Sequence, residues 1–246
     1  IGELAQKFNE MLDQMEELKQ KEYQAKQLLN RAEYKALQAQ VNPHFLYNTL
    51  DTMASIAEIR NCPEVSHMSQ SLALIFRYSL NMKDPFSTVE NEIAHLKNYI
   101  YVMDMRMHDN IQYTFDVDEM TLKSKLPRLS LQPIVENAIN HGLRNKRGKK
   151  KIGIQIKREQ MDLVICIEDN GIGLDTSAIN ESLRKNELDF VEKGNSIGLH
   201  NINARLKMLY GNQYGMHLES TLGEGTKVFM ILPDSGEDSN NEEKDI

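Results

Sequence analysis

Residues 1–41 carry an apolar stripe that recurs by threes and fours, with no proline and no glycine after Gly2. Ile1, Leu4, Phe8, Met11, Met15, Leu18, Ala25, Leu29, Ala32, Ala36 and Ala39 form it, and Glu22 is its one clear break. That spacing puts the apolar side chains on one side of a long helix whose other faces are rich in Glu, Gln and Lys. Such a stripe needs a partner helix, so the pattern predicts a parallel coiled coil and a homodimer. It ends at Asn42-Pro43-His44-Phe45-Leu46-Tyr47-Asn48. Proline inside a helix removes a donor and clashes one turn back, at about 3 kcal/mol. A new helix capped by Asn42, with Pro43 in its first position, satisfies both residues. His44 then either falls in a first turn by accident or is an imidazole placed there to react.

Two further helices are expected downstream. Residues 43–61 continue as helix, Asn61-Cys62-Pro63 breaks it, and residues 64–82 form a second, with Val65, Met68, Leu72, Ile75 and Phe76 on one face. Two such hairpins from a dimer make a four-helix bundle. Ser87 and Glu90 have capping-box spacing for a third helix over 88–107, whose Ile93, Leu96, Ile100, Met103 and Met107 are read as core. The pattern then changes. Residues 111–117 alternate with period two, 129–142 are helical, and 152–157 and 163–167 are strands. A helix over 197–210 and a hairpin of 216–220 with 226–232 follow, and the acidic remainder reads as a disordered tail. The fold class is therefore α+β: coiled coil and helical hairpin first, a mixed domain second.

Composition narrows the function classes. A net charge of −7 opposes nonspecific binding to nucleic acid or an anionic membrane. Cys62 and Cys166 lack metal-ligand spacing, and a reducing compartment is the default. No run of 18 apolar residues occurs. The chain starts at Ile1 and is expected to be a fragment.

Four segments of the second domain have the residue types that hold a nucleotide. Glu136-Asn137-Ala138-Ile139-Asn140-His141-Gly142 is helical, with Asn137 and His141 on one face. An amide oxygen suits Mg²⁺ that already carries phosphate charge. Asp169-Asn170-Gly171-Ile172-Gly173 follows a strand; its carboxylate can accept from an adenine amino group, and its glycines let backbone approach a flat ring. Gly194-Asn195-Ser196-Ile197-Gly198-Leu199 opens a helix whose N-terminus favours anions. Gly223-Glu224-Gly225-Thr226 adds a hydroxyl. Taken singly, each has an ordinary explanation: Asp-x-Gly-x-Gly is commonly a turn, His141 can compensate a helix dipole, and the basic run 144–151 is usually a solvated loop. Their order along the chain is what points to a nucleotide site.

In that order, residues 127–232 resemble the Bergerat-type ATP-binding domain, an α/β sandwich shared by histidine kinases, DNA gyrase, the heat-shock chaperone and mismatch-repair proteins. Residues 36–115, with Gln40-Val-Asn-Pro-His-Phe-Leu-Tyr-Asn48, look like the histidine-containing domain of LytS/YesM-type sensor kinases. Residues 1–15 are similar to the second helix of a HAMP relay. The resemblance implies four regions: a signalling coiled coil (1–35), a dimerising phosphoacceptor hairpin (36–85), an ATP-binding domain with its leading helix (86–233) and a tail (234–246). It implies a histidine kinase that phosphorylates His44 from Mg-ATP and passes the phosphoryl group to an aspartate of a response regulator receiver domain. Asn137 would bind Mg²⁺, Asp169 would read adenine, and His141, Gly171, Gly173, Gly198, Leu199 and Thr226 would complete the ATP site under a lid over 174–196. Asn48, one turn after His44, would position the phosphoryl group or a water. The fragment would be the cytoplasmic portion of a membrane-anchored protein, with no nucleic-acid partner.

Two residues depart from the family pattern. Phe45 stands where many histidine kinases carry an acidic helper, and Ser196 stands where another glycine is frequent. An ATP-binding dimeric switch without kinase activity is the alternative. A chaperone or topoisomerase relative fits less well, because Pro133 occupies the position of its acid.

Overall fold

The structure is a computed structural model that describes residues 43–80, 84–107, 110–185 and 197–234. The expected coiled coil and most of the expected tail lie outside the described residues. The chain divides into two units, Ile1–Thr49 and Leu50–Ile246. Of the first, residues 43–49 are described, as the opening of helix α1 (Pro43–Ile59) with Pro43 at its first position.

In the second unit α1 ends where the sequence predicts. Asn61 adopts a left-handed φ of 55°, its N–H donates to Glu58 O (3.0 Å), and Cys62 N–H donates to Ala57 O (2.9 Å). This double closure satisfies the last carbonyls of the helix, and Pro63 then opens α2 (Pro63–Leu80). The residues that α2 buries within one copy are small, and the apolar face expected for the dimer bundle stays half-buried or exposed. Ser66, Ser69, Ser71 and Ala73 are buried, whereas Val65 is 55% exposed and Leu74 is exposed as well. Small side chains let α2 approach the next helix, α3 (Val89–Met107), against which it packs.

A short strand β1 (Phe86–Thr88) precedes α3, and Thr88 Oγ1, not Ser87, accepts from the Asn91 N–H (3.3 Å). Ser87 is turned inward because β1 pairs antiparallel with β3 (Lys125–Pro127), with Ser87 opposite Leu126. The expected core stripe of α3 is observed: Ile93, Leu96, Ile100 and Met103 are buried, with Met107 partly so.

Among the described residues the main sheet has five strands in the order β2-β4-β5-β7-β6. β2 (Ile111–Val117) pairs parallel with β4 (Lys150–Glu159). β5 (Asp162–Asp169), β7 (Gly225–Pro233) and β6 (Gly215–Thr221) complete it in antiparallel pairs. Period-two alternation turns Ile152, Ile154 and Ile156, Leu163, Ile165 and Ile167, and Val228, Met230 and Leu232 to one buried face. There they join α3, α4 (Leu131–Asn137) and α6 (Ile197–Tyr210) in one core. The result is a helix layer on a mixed sheet, the α/β sandwich expected. Helix α5 (Ser177–Lys185) is bound to the edge strand β6: Asn180 donates to Leu218 O (2.8 Å) and accepts from Leu218 N–H (2.8 Å). Asp234, just past β7, donates its N–H to Met161 O (2.9 Å) and pairs with Arg158.

Candidate functional site

A cavity of about 480 Å³ opens between the helix layer and the ends of β5, β6 and β7. Ile134, Ile167, Leu199, Leu218 and Val228 give it apolar walls, while Asn137, Asn140, His141, Arg144, Asp169 and Thr226 supply its polar groups. Two apolar walls with few convergent polar groups suit a flat heterocycle bearing a charged extension.

Asp169 ends β5 and is buried, 6% exposed. Its Oδ1 accepts the N–H of Gly171 (2.7 Å). Burial pushes the carboxyl up from its ordinary range, against hydrogen bonds from Gly171 and Thr226 that pull it down. Thr226 sits opposite on β7, its hydroxyl 3.1 Å from Ser220 Oγ. The loop after Asp169 is closed from both sides: Ile172 N–H donates to Gly142 O (3.0 Å), and Gly223 N–H donates to Ile172 O (2.7 Å). This packing leaves no room for side chains at Gly171 and Gly173. A Cβ on Gly171 would lie 2.3 Å from Gly142 O, and one on Gly173, whose φ is +65°, would lie 2.0 Å from Thr221 O.

Asn137 is the last residue of α4, and Ala138–Leu143 continue as a wider π turn. The wide turn brings Asn137, Asn140, His141 and Arg144 to the same cavity, a feature common at functional sites. Asn137 Nδ2 is buried without a hydrogen-bond partner among the described residues. An orphaned amide facing a cavity bounded by glycine backbone fits a polar ligand, and the amide oxygen fits Mg²⁺ held together with phosphate oxygens.

The candidate residues sort into lining and supporting roles. Asn137, His141, Asp169, Gly173, Leu199 and Thr226 line the cavity. Gly171 acts behind it, through Asp169. Gly198 lies on α6, where a Cβ would stand 3.4 Å from Pro133 Cβ, so it serves the packing of α6 on α4. Gly194, Ser196 and the latter part of the expected lid lie outside the described residues. Arg144, which opens the basic run 144–151 that the sequence places close enough to the Asn137 helix to reach phosphates, lines the cavity as well. The first unit holds a separate pair. His44 is exposed on α1, and Asn48 Nδ2 stands 3.2 Å from His44 Nδ1.

Comparisons with known proteins cover both regions of the chain. The family model described as "Histidine kinase" matches residues 32–111, and that described as "Histidine kinase-, DNA gyrase B-, and HSP90-like ATPase" matches residues 125–236. The sensor histidine kinase YesM of Bacillus subtilis (strain 168) is 32% identical over 94% of this chain and 38% of its own length. YpdA of Escherichia coli (strain K12) is 34% identical over 85% of this chain and 36% of its own length. The sensor protein LytS of Oceanobacillus iheyensis is 33% identical over 85% of this chain and 35% of its own length. The chain thus spans somewhat over a third of the length of these curated relatives. Among the described residues no helix is long and apolar enough to cross a membrane. With a histidine-bearing helix, an ATPase-type pocket and these matches along most of its length, the chain belongs to the sensor histidine kinases of the LytS/YesM type.

Proposed function

We propose that this chain is the phosphotransfer portion of a sensor histidine kinase: it binds Mg-ATP in the cavity around Asp169, transfers the γ-phosphoryl group to His44, and passes it to an aspartate of a response regulator receiver domain. The observation that carries the reading is the pairing of a buried carboxylate, Asp169, with an orphaned amide, Asn137, across an apolar slot. Asp169 accepts from the adenine amino group, the aliphatic walls hold the ring, and Asn137 faces the phosphate end with Arg144 as cation. Mg²⁺, held by Asn137 with the phosphates, supplies charge neutralisation.

At the acceptor, the Asn48 amide stands in for the acidic helper that Phe45 displaces. With its nitrogen toward His44 Nδ1, as placed, the amide donates and the ring proton sits on Nε2. A half turn of the amide presents Oδ1 instead, keeps the proton on Nδ1 and frees the Nε2 lone pair. Nε2 then attacks the γ-phosphorus, an N–P bond forms, the bond to the β–γ bridging oxygen breaks, and ADP leaves with that electron pair. The Nδ1 proton passes to solvent. Catalysis is mostly positioning and electrostatics, as phosphoryl transfer allows.

Homodimerisation belongs to the same proposal. Met53, Ile56 and Ile59 on α1 and Val65 and Leu74 on α2 are large apolar side chains left exposed on the hairpin, which supports burial against a second copy. The test is incubation with γ-labelled ATP and Mg²⁺. Acid-labile, alkali-stable label is expected on the wild-type chain and none on His44→Gln. Label that survives His44→Gln moves the acceptor elsewhere, and tight ATP binding without any label identifies the chain as a nucleotide-dependent switch.

A further inference from the structure

Glu92, on α3, lies outside the nucleotide cavity and is 0% exposed. Its carboxylate accepts three consecutive backbone N–H groups, from Leu129 (2.7 Å), Ser130 (2.9 Å) and Leu131 (3.2 Å). These groups stand at the start of α4, the helix that ends at Asn137. The helix has no side-chain cap of its own, because Ser130 turns its hydroxyl to Pro127 O (2.5 Å). Leu129 takes a left-handed φ of 59°, which lets the three donors converge on one carboxylate.

A fourth donor comes from the hairpin. Tyr78, on α2, donates its hydroxyl to Glu92 Oε1 (2.5 Å). Its ring is stacked on His95 at 4.3 Å, the Arg128 guanidinium lies 4.3 Å from its centroid, and Arg128 Nη1 donates to Tyr78 O (2.9 Å). Burial and the charge of Glu92 push the Tyr78 phenol far above its ordinary range, so it remains a donor at any physiological pH. A fully buried carboxylate keeps its place only while its acceptor sites are filled, since each lost partner exposes a desolvation cost. α2 therefore cannot shift at Tyr78 without moving Glu92, and Glu92 holds the first turn of α4. Asn137 is six residues further along, about 9 Å of rigid helix.

We infer that Glu92 is a positioning residue for Asn137, and that the Tyr78–Glu92 bond is the contact through which the second helix of the hairpin sets the phosphate end of the nucleotide cavity. This deepens the proposed function and rests on reading the cavity as a nucleotide site.

The test compares two ligands on the whole chain. Adenosine engages Asp169 without reaching Asn137, whereas Mg-ATP engages both. Tyr78→Phe removes one oxygen and is expected to retain the wild-type circular dichroism. It should weaken Mg-ATP about ten-fold in calorimetric titration while leaving adenosine within two-fold. Glu92→Gln should weaken Mg-ATP at least as much, and the double variant should be no weaker than Glu92→Gln, because both changes act on one contact. Equal weakening of both ligands by Tyr78→Phe, or an unchanged Mg-ATP affinity, overturns the inference; that variant decides alone if Glu92→Gln does not fold. If the wild-type chain binds neither ligand, the nucleotide reading fails by itself. The Asn137 side-chain amide resonances, assigned by their loss in Asn137→Ser, then decide: displacement in Tyr78→Phe supports the coupling, and an unchanged position overturns it.

Discussion

His44 and Asp169 are held in opposite ways. His44 sits exposed in the first turn of α1, and the contact on its ring nitrogen is the Asn48 amide, itself on an exposed side chain. Asp169 is buried at a strand end, tied to the backbone of Gly171 and enclosed by a loop that admits no Cβ at Gly171 or Gly173. The difference matches the two proposed tasks. A group that receives a phosphoryl from ATP and surrenders it to another protein, as proposed for His44, has to be reachable from solvent. A group that reads a base has to be dry and fixed before the base arrives, because an adaptable carboxylate would lose its advantage to water.

The comparison can be broken most forcefully at the rigid end. Gly173→Ala combines a left-handed φ with a Cβ 2.0 Å from Thr221 O, and a loss of about 2–4 kcal/mol in unfolding free energy is expected from the denaturant midpoint. A neutral result would mean that the loop yields and the pocket is not preformed. Asp169→Asn separates stability from recognition. It should weaken ATP about 10- to 100-fold by calorimetry, the worth of a hydrogen bond to a charged group. Stability should move the other way. Because burial raises the folded-state pKa of Asp169, the unfolded chain ionises first as pH rises, and the native state loses stability from about pH 3.8 upward. The asparagine variant should therefore melt higher than wild type at pH 7, and the gain should vanish below pH 3.8.

At the exposed end effects should be kinetic. Asn48→Ala is expected to slow labelling of His44 about ten-fold, with the melting temperature unchanged, since an exposed side chain contributes little to folding. Equal labelling rates would remove Asn48 as the orienting group. The smallest effect on the monomer is expected at Val65→Ser. Val65 is 55% exposed, so stability should stay within about 0.5 kcal/mol. Sedimentation should nevertheless show weaker self-association if that face meets a second copy.

Elements with a strong repeat were legible in the residues. β2, the α3 core stripe, the end of α6 before Gly211 and the β6–β7 hairpin all lie where periodicity and turn residues put them. Of the four expected nucleotide segments, those around Asn137, Asp169 and Thr226 meet at one cavity, and residues 194–196 of the remaining one lie outside the described residues. β1 and β3 were missed, since three residues are too few to show alternation. The cap of α3 fell to Thr88, because pairing of β1 with β3 claimed Ser87. The small residues that α2 buries against α3 were not read from the sequence, because serine and alanine rank low by hydrophobicity yet are what allows two helices to approach.

Local chemistry along the chain determined where helices begin and end, which strands alternate, and which segments can face a nucleotide. The tertiary structure alone decided which of those groups are starved of partners. Glu92 reads as one more acid in the first turn of an amphipathic helix until folding brings Tyr78 from one side and the α4 backbone from the other. Asn137 reads as one polar helix residue among several until folding leaves its amide nitrogen buried and unpaired beside the cavity. Burial and hydrogen-bond satisfaction belong to neighbours distant in the sequence, so no local pattern encodes them.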